Sequence, residues 1–280
     1  MLLPFAVSFA LAAPPAPSPA PPPAGESVPA LIEALADCQE MDCPALRSLV
    51  ARGDKVWPEL ERGIDHKQEM VRFWSIGVLS EVPVAAAMPR LLGFIKDEPL
   101  ARIRAASAFA LASYKGAPEV TPALVLALSD IDPNVRFEAA SALGRRPADP
   151  AALAPLVKAL DDQDEDVRAA AAETLGVMGP VAKVPEATKA LLAKVSDRKP
   201  TVRGHVAIAL GQIGVPEAVP PLVKRLERER DEEALAAAIW ALGELGDKTA
   251  VEPLKALEGH ASEIVRGHVA EALGKLAAVK

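Results

Sequence analysis

Aromatic side chains are scarce in this sequence. Six Phe, three Trp and one Tyr stand among 280 residues, although half of the chain is apolar. The apolar residues are mostly Ala, Leu and Val, a composition that suits closely packed helices with few large pockets. No excess of positive charge is present either. Lys and Arg number 31 against 38 Asp and Glu, for a net charge of −7, which argues against an unselective nucleic-acid binder. Catalytic signatures are missing as well: there is no G-x-S-x-G, no P-loop, no H-E-x-x-H and no Rossmann glycine pattern, so an enzyme is not the first expectation. Cysteine is limited to Cys38 and Cys43. In an exported chain these two would close a short local disulfide, worth less than the ~3 kcal/mol of a 15-residue loop; in a reducing cytosol they would be free thiols.

The N-terminus differs from the rest. Residues 1–13 are apolar except for Ser8, and no charged side chain precedes Glu26. The run falls short of the roughly 18 residues that a membrane-spanning helix needs, so no membrane span is expected. It fits the apolar region of a secretory signal peptide, with Ala10, Ala12 and Ala13 near a cleavage site, although only the Met1 amine supplies positive charge. Residues 14–25 follow as a proline-rich linker, with seven prolines between Pro14 and Pro23, extended and semi-rigid. Export, most readily to a periplasm, is the expectation, with a cytoplasmic protein as the alternative.

What fills the remainder is a repeat. Seven segments, beginning at Val71, Ile103, Val135, Val167, Val202, Ala234 and Val265, follow V-R-x-x-A-A-x-A-L-G. Their closing residues Leu79, Leu111, Leu143, Leu175, Leu210, Leu242 and Leu273 stand 32, 32, 32, 35, 32 and 31 residues apart. With the first residue of each copy counted as position 0, small or apolar residues fall at 0, 4, 5 and 8, one face of an α-helix. Asp132, Asp164, Asp231 and Ser262 stand three residues before position 0, where N-caps belong. Pro133 and Pro200 occupy the first helical position. Gly144, Gly176, Gly211, Gly243 and Gly274 are expected to end their helices in the left-handed conformation. A second apolar stripe follows each copy, at Leu91–Ile95, Leu124–Leu128, Leu156–Leu160, Leu191–Val195, Leu222–Leu226 and Leu254 with Leu257. The unit is therefore helix, turn, helix, and neither helix buries its stripe unless units stack.

Stretches such as Asp130-Ile-Asp-Pro-Asn-Val-Arg-Phe-Glu-Ala-Ala-Ser-Ala-Leu-Gly144 resemble HEAT repeats of the short bacterial type, also found in phycobilin lyases. The resemblance covers roughly residues 54–280. It implies an all-α fold, an α-solenoid of about six to seven helix pairs, with a helical N-terminal cap at 26–65 and repeats at 66–280. It also implies that Arg72, Arg104, Arg136, Arg168, Arg203 and Arg266, at position 1, form an inter-repeat ladder with turn carboxylates such as Asp132 or Asp164, interrupted at Leu235. A phosphate-binding row is the weaker reading of the same arginines.

Other features are weighed against this frame. Asp162, Asp164 and Asp166 have the spacing of a calcium loop, but Val167 stands where the loop requires glycine. Of the four histidines, His205 and His268 share one position two repeats apart, which suggests duplication rather than a metal site. The basic residues Arg90, Lys158, Lys194, Lys224 and Arg225 lie on the second helices and are candidates for binding an acidic partner, unless they only offset helix dipoles. The segment Val177–Glu186 reads as a longer loop able to carry recognition. Phe109, Ile208 and Trp240 at position 6, with Phe73, Trp74 and Phe137, are candidates for a second surface. No cofactor and no nucleic acid are expected. The expected function is a non-catalytic protein–protein interaction scaffold. The alternatives are a phycobilin-lyase-like chromophore-handling protein and a structural spacer.

Overall fold

A computed structural model of the chain describes residues 26–40 and 42–278. The candidate signal peptide and the linker lie outside the described residues. Those described form α-helices and short 3-10 turns, with no strand among them.

Three short helices begin the fold: α1 (Val28–Ala34), α2 (Pro44–Ala51) and α3 (Trp57–Ile64). Ser27 Oγ accepts from Ala30 N at the start of α1, and Cys43 caps α2 ahead of Pro44. Cys38 and Cys43 are joined as a disulfide across a Cα–Cα distance of 5.6 Å. Six helix pairs follow. They are α4 (Glu69–Glu81) with α5 (Met88–Asp97), α6 (Ala101–Leu111) with α7 (Val120–Ala127), and α8 (Pro133–Gly144) with α9 (Leu153–Ala159). Then come α10 (Glu165–Met178) with α11 (Pro185–Lys194), α12 (Pro200–Ile213) with α13 (Val219–Leu226), and α14 (Glu232–Leu245) with α15 (Val251–Lys255). A single helix, α16 (Glu263–Ala278), closes the series. The first member of each pair carries the V-R pattern and is called the leading helix below; α16 is a leading helix without a follower.

Each leading helix packs on the next leading helix, so the chain forms an α-solenoid. The closing leucines Leu79, Leu111, Leu143, Leu175, Leu210 and Leu242 are buried in one continuous core that extends from Leu31 in the cap to Leu276 in α16. Burying each leucine contributes about 1.5–3 kcal/mol, and no unit could bury its stripe alone. Trp74 ties the cap to the first pair. Its indole is buried, and Nε1 donates to Cys38 O at 3.0 Å. Arg146, at the end of α8, is also buried and staples the preceding pair by donating to the carbonyls of Leu111, Tyr114 and Ala117 at 2.6–3.2 Å.

Two expectations about helix ends need correction. Gly144, Gly176, Gly211 and Gly243 do not adopt the left-handed conformation; they lie within their helices. Their role is close approach. A Cβ on Gly176, Gly211 or Gly243 would stand 2.9, 3.0 and 3.0 Å from the Cα of Ala209, Ala241 and Ala272 on the next leading helix. The left-handed caps come three residues later, at Gly214 and Gly246, both at φ +70°. α12 and α14 therefore run almost one turn beyond the repeat pattern, whereas α8 ends at Gly144. The segment Val177–Glu186 is likewise no long loop. Val177 and Met178 finish α10, residues Gly179–Ala182 make a 3-10 turn, and α11 opens at Pro185. Met178 and Ala182 are buried, so the extra residues are absorbed into packing.

Candidate binding surface

The arginine at position 1 has two jobs. Its Nη1 folds back onto its own N-terminal turn: Arg104 donates to Glu98 O and Pro99 O at 2.9 and 3.2 Å, and Arg136 to Asp130 O and Ile131 O at 3.0 and 3.2 Å. Arg72, Arg168, Arg203 and Arg266 do the same in their turns. Nε and Nη2 then reach across to the next unit. Arg104 holds Asp130, Arg136 holds Asp162, Arg168 holds Asp197 and Arg203 holds Glu229, each bidentate at 2.6–3.0 Å. The guanidinium fork matches a carboxylate in this arrangement, and charge-assisted pairs of this kind are the strong ones.

The ladder acids are therefore not Asp132 and Asp164. Those two cap their own helices, Asp132 accepting from Asn134 N and Asp164 from Asp166 N and Val167 N. The acceptor lies two residues earlier, at position −5. That residue also accepts the backbone N–H two residues on, in every unit: His66, Glu98, Asp130, Asp162, Asp197, Glu229 and His260. Asp130, Asp162, Asp197 and Glu229 thus close their own turns and also take the preceding arginine. Asp231 caps α14 as expected, whereas Ser262 contributes its backbone carbonyl, to Arg266 N at 3.2 Å.

The ladder has two exceptions. Arg72 holds no carboxylate, although Glu98 stands at the facing position −5, and its Nε is buried without a partner among the described residues. The other exception is a paired change. Where Leu235 replaces arginine, the facing position −5 holds His260 instead of an acid. His66 opens the first turn, before any ladder arginine. Burial works to raise the Glu229 pKa, but donation from Arg203, Asp231 N, Arg225 and Arg230 N outweighs it and holds the carboxyl at about 2. Asp130, Asp162 and Asp197 are held below the ordinary aspartate value in the same way, burial being overcome by the arginine and the turn N–H.

The basic candidates on the second helices fall into two groups. Arg90 pairs with Asp65, Lys194 with Asp161 at 2.7 Å, and Arg225 with the buried Glu229 at 2.9 Å. Lys158 and Lys224 are exposed. Lys158 borders an open cavity of about 780 Å³ beside Pro155, Asp161 and Asp162.

A second surface runs along the leading helices. Phe109, Ile208 and Trp240 are half-buried at position 6. The Arg145 guanidinium stands 4.3 Å from the centre of the Phe109 ring. Phe109 and Arg145 border an open cavity of about 460 Å³ with Glu81, Ser113 and Lys115. Glu138 lies 3.9 Å from Arg145; burial raises its pKa, and Arg145 offsets this only in part. Glu173 stands 3.8 Å from His205. At the far end, Lys275 bridges Glu244 and Glu271 at 2.6 and 2.7 Å, with its Nζ 6.0 Å from the Trp240 ring. Trp74 leaves this set because it is core; Phe73 and Phe137 are half-buried. Among the described residues, no three His, Cys, Asp or Glu gather to hold a metal ion, and no helix is long and apolar enough to cross a membrane.

Comparison with known proteins places this geometry. A family model of HEAT repeats matches residues 99–176, 158–239 and 219–280, together well over half of the chain. Among solved structures, YibA of Escherichia coli aligns with a TM-score of 0.66 at 19% identity, over 91% of this chain and 98% of that one. The CpcE–CpcF complex of phycocyanin lyase from Nostoc sp. PCC7120 gives 0.52 at 23% identity, over 78% and 94%. A computationally designed armadillo repeat protein for modular peptide recognition gives 0.50 at 21% identity, over 67% and 99%. At these identities the likeness concerns fold alone. No curated protein matches the sequence.

Proposed function

This chain belongs to the HEAT-repeat family, and on that premise we propose that it is a non-catalytic scaffold, exported to a periplasm, that binds another protein along its leading helices. The observation that carries the reading is the ridge of half-buried Phe109, Ile208 and Trp240 at one repeat position, interleaved with the carboxylates of Glu138 and Glu173. Rigid aromatic anchors are the residues on which binding energy concentrates. Glu138, partly desolvated and only loosely paired, favours a partner segment that brings a cation. Three of the five basic residues on the second helices are already engaged by acids, which supports the leading helices over that layer as the contact surface. The lyase-like alternative rests on fold likeness alone.

Photo-crosslinking residues introduced in the native host test the reading. Substitutions at Phe109 and Trp240 should yield the same protein adduct, and one at Lys224 should not. Adducts from Lys224 alone would move the surface to the second helices, and no adduct from any position would support the spacer. N-terminal sequencing of the mature protein tests export: a start near Pro14 is expected, and an intact Met1 contradicts it.

A further inference from the structure

Cations cover the aromatic ridge from within. Three of its rings lie under a cation borne by the next leading helix: Arg102 stands 5.6 Å from the centre of the Phe73 ring, Arg145 4.3 Å from Phe109, and Lys275 6.0 Å from Trp240. Two of these cations are tied down. Lys275 bridges Glu244 and Glu271, and Arg102 donates to Met70 Sδ at 3.3 Å and lies 3.7 Å from Glu69. Arg145 is held differently. It makes the closest stack of the three, yet its guanidinium donates no hydrogen bond among the described residues, and its approach to Glu138 stops at 3.9 Å. The Glu138 carboxylate, 27% exposed, accepts no hydrogen bond among them either. A half-buried carboxylate without a donor carries a desolvation cost that is not repaid. The tether explains the poor fit. Arg145 lies seven residues beyond Glu138 on the same helix, about 10 Å along its axis, so its side chain runs back across Phe109 and meets the acid only at its tip.

We propose that Phe109 and Glu138 form a binding site for an arginine side chain of the partner, a site that Arg145 fills in the free protein and leaves when the partner arrives. The inference rests on the leading helices being the contact surface and names the group they recognise. One guanidinium already lies against both walls, the ring and the carboxylate, so the chemistry of the occupant is displayed by the protein's own side chain. A guanidinium entering from solvent is free of the α8 tether. It stacks its face on Phe109 and turns its fork to Glu138 at the same time, which an ammonium cannot do. The open cavity beside Phe109 gives the entry, and at its mouth Glu81 and Lys115 offset one another. Displaced Arg145 stays in the field of Glu173, which already favours its charged form. Glu138 and Glu173 carry two negative charges against the single positive charge of Arg145, so a second cation balances the cluster.

The probe is N-acetyl-arginine amide, titrated into the full chain and followed by NMR at the Phe109 ring and the Glu138 side-chain carbon. The wild type should bind it weakly, with a dissociation constant on the order of millimolar, because Arg145 competes. Arg145→Ala should bind roughly tenfold more tightly, and adding Glu138→Gln should remove most of that gain. N-acetyl-citrulline amide, the neutral isostere, should not bind. This comparison is made on one folded chain, so it stands whatever the variants do to stability. N-acetyl-lysine amide should gain clearly less than the arginine probe from Arg145→Ala. No saturable binding to the Arg145→Ala chain, equal binding by that chain and the wild type, or equal gains for arginine and lysine overturns the proposal. Crosslinking at the ridge separates this outcome from the wider reading. Adducts at Phe109 and Trp240 without arginine binding overturn the arginine site alone, and arginine binding without adducts supports the site while overturning the scaffold.

Discussion

Arg203 and Glu229 are 26 residues apart in sequence and are joined by two hydrogen bonds of 2.6 Å, with the Glu229 side chain only 1% exposed. Removing Arg203 takes two charge-assisted hydrogen bonds from the buried Glu229 and leaves Arg225 as its remaining cation. Arg203→Leu is therefore expected to lower the unfolding free energy by about 1.5–3 kcal/mol. The α14 junction shows how the protein manages without the pair, with Leu235 facing His260. The double variant Arg203→Leu/Glu229→His should accordingly recover at least about 1 kcal/mol of that loss through coupling between neighbours. Urea unfolding of the two variants measures both numbers.

Acid should loosen the ladder in a defined window. The folded-state pKa of Glu229 is depressed, from 4.5 to about 2. Its stabilisation is then full above pH 4.5 and is lost as the pH falls through 2. The shift corresponds to roughly 3 kcal/mol at a position this buried. Asp130, Asp162 and Asp197 shift in the same direction. Glu138 opposes them, since burial raises its pKa. Stability should be level or rise slightly from pH 6 to about 4.5 and fall from there to pH 2, and Glu229→Gln should flatten the slope below pH 4.5.

The position-9 glycines should answer substitution by place. Gly211→Val meets the Ala241 Cα and should cost about 1–3 kcal/mol or more through overpacking. Gly274→Ala meets nothing and should stabilise by up to about 1 kcal/mol through helix propensity. Equal effects at the two sites in thermal melts would contradict the close-approach role.

The bond between Trp74 and Cys38 predicts a coupled cap. Trp74→Phe leaves the Cys38 carbonyl without its donor and should cost about 1–3 kcal/mol. Proteolysis of the variant should begin within the residues before Glu69.

Much of this architecture was legible in the sequence because the repeat is strict where packing is strict. The spacing of the closing leucines and the caps at Asp132, Asp164 and Asp231 fix the unit length and the starts of the helices. The ladder acceptors were harder to read. The N-cap aspartates are the conspicuous acids, while the residue at position −5 varies among Asp, Glu and His; only its recurrence two residues before the cap position marks it. The glycines misled for a physical reason. A glycine that closes a repeat pattern signals either a left-handed cap or a tight helix contact, and only the distance to Ala241 or Ala272 distinguishes the two. The surface residues were least legible. Trp74 and Trp240 read alike in sequence, yet Trp74 is core because the cap stands over it, and Trp240 lies on the open ridge.

Native-state hydrogen exchange tests most directly the claim that neighbouring units are coupled by their arginine–carboxylate pairs. Amides of α8, α10 and α12, which lie between consecutive pairs, should open only near the global unfolding free energy. Those of α16, beyond the junction of Leu235 and His260, should exchange through a lower-energy opening. Equal protection in α12 and α16, or loss of protection in α10 ahead of α16, would contradict the account.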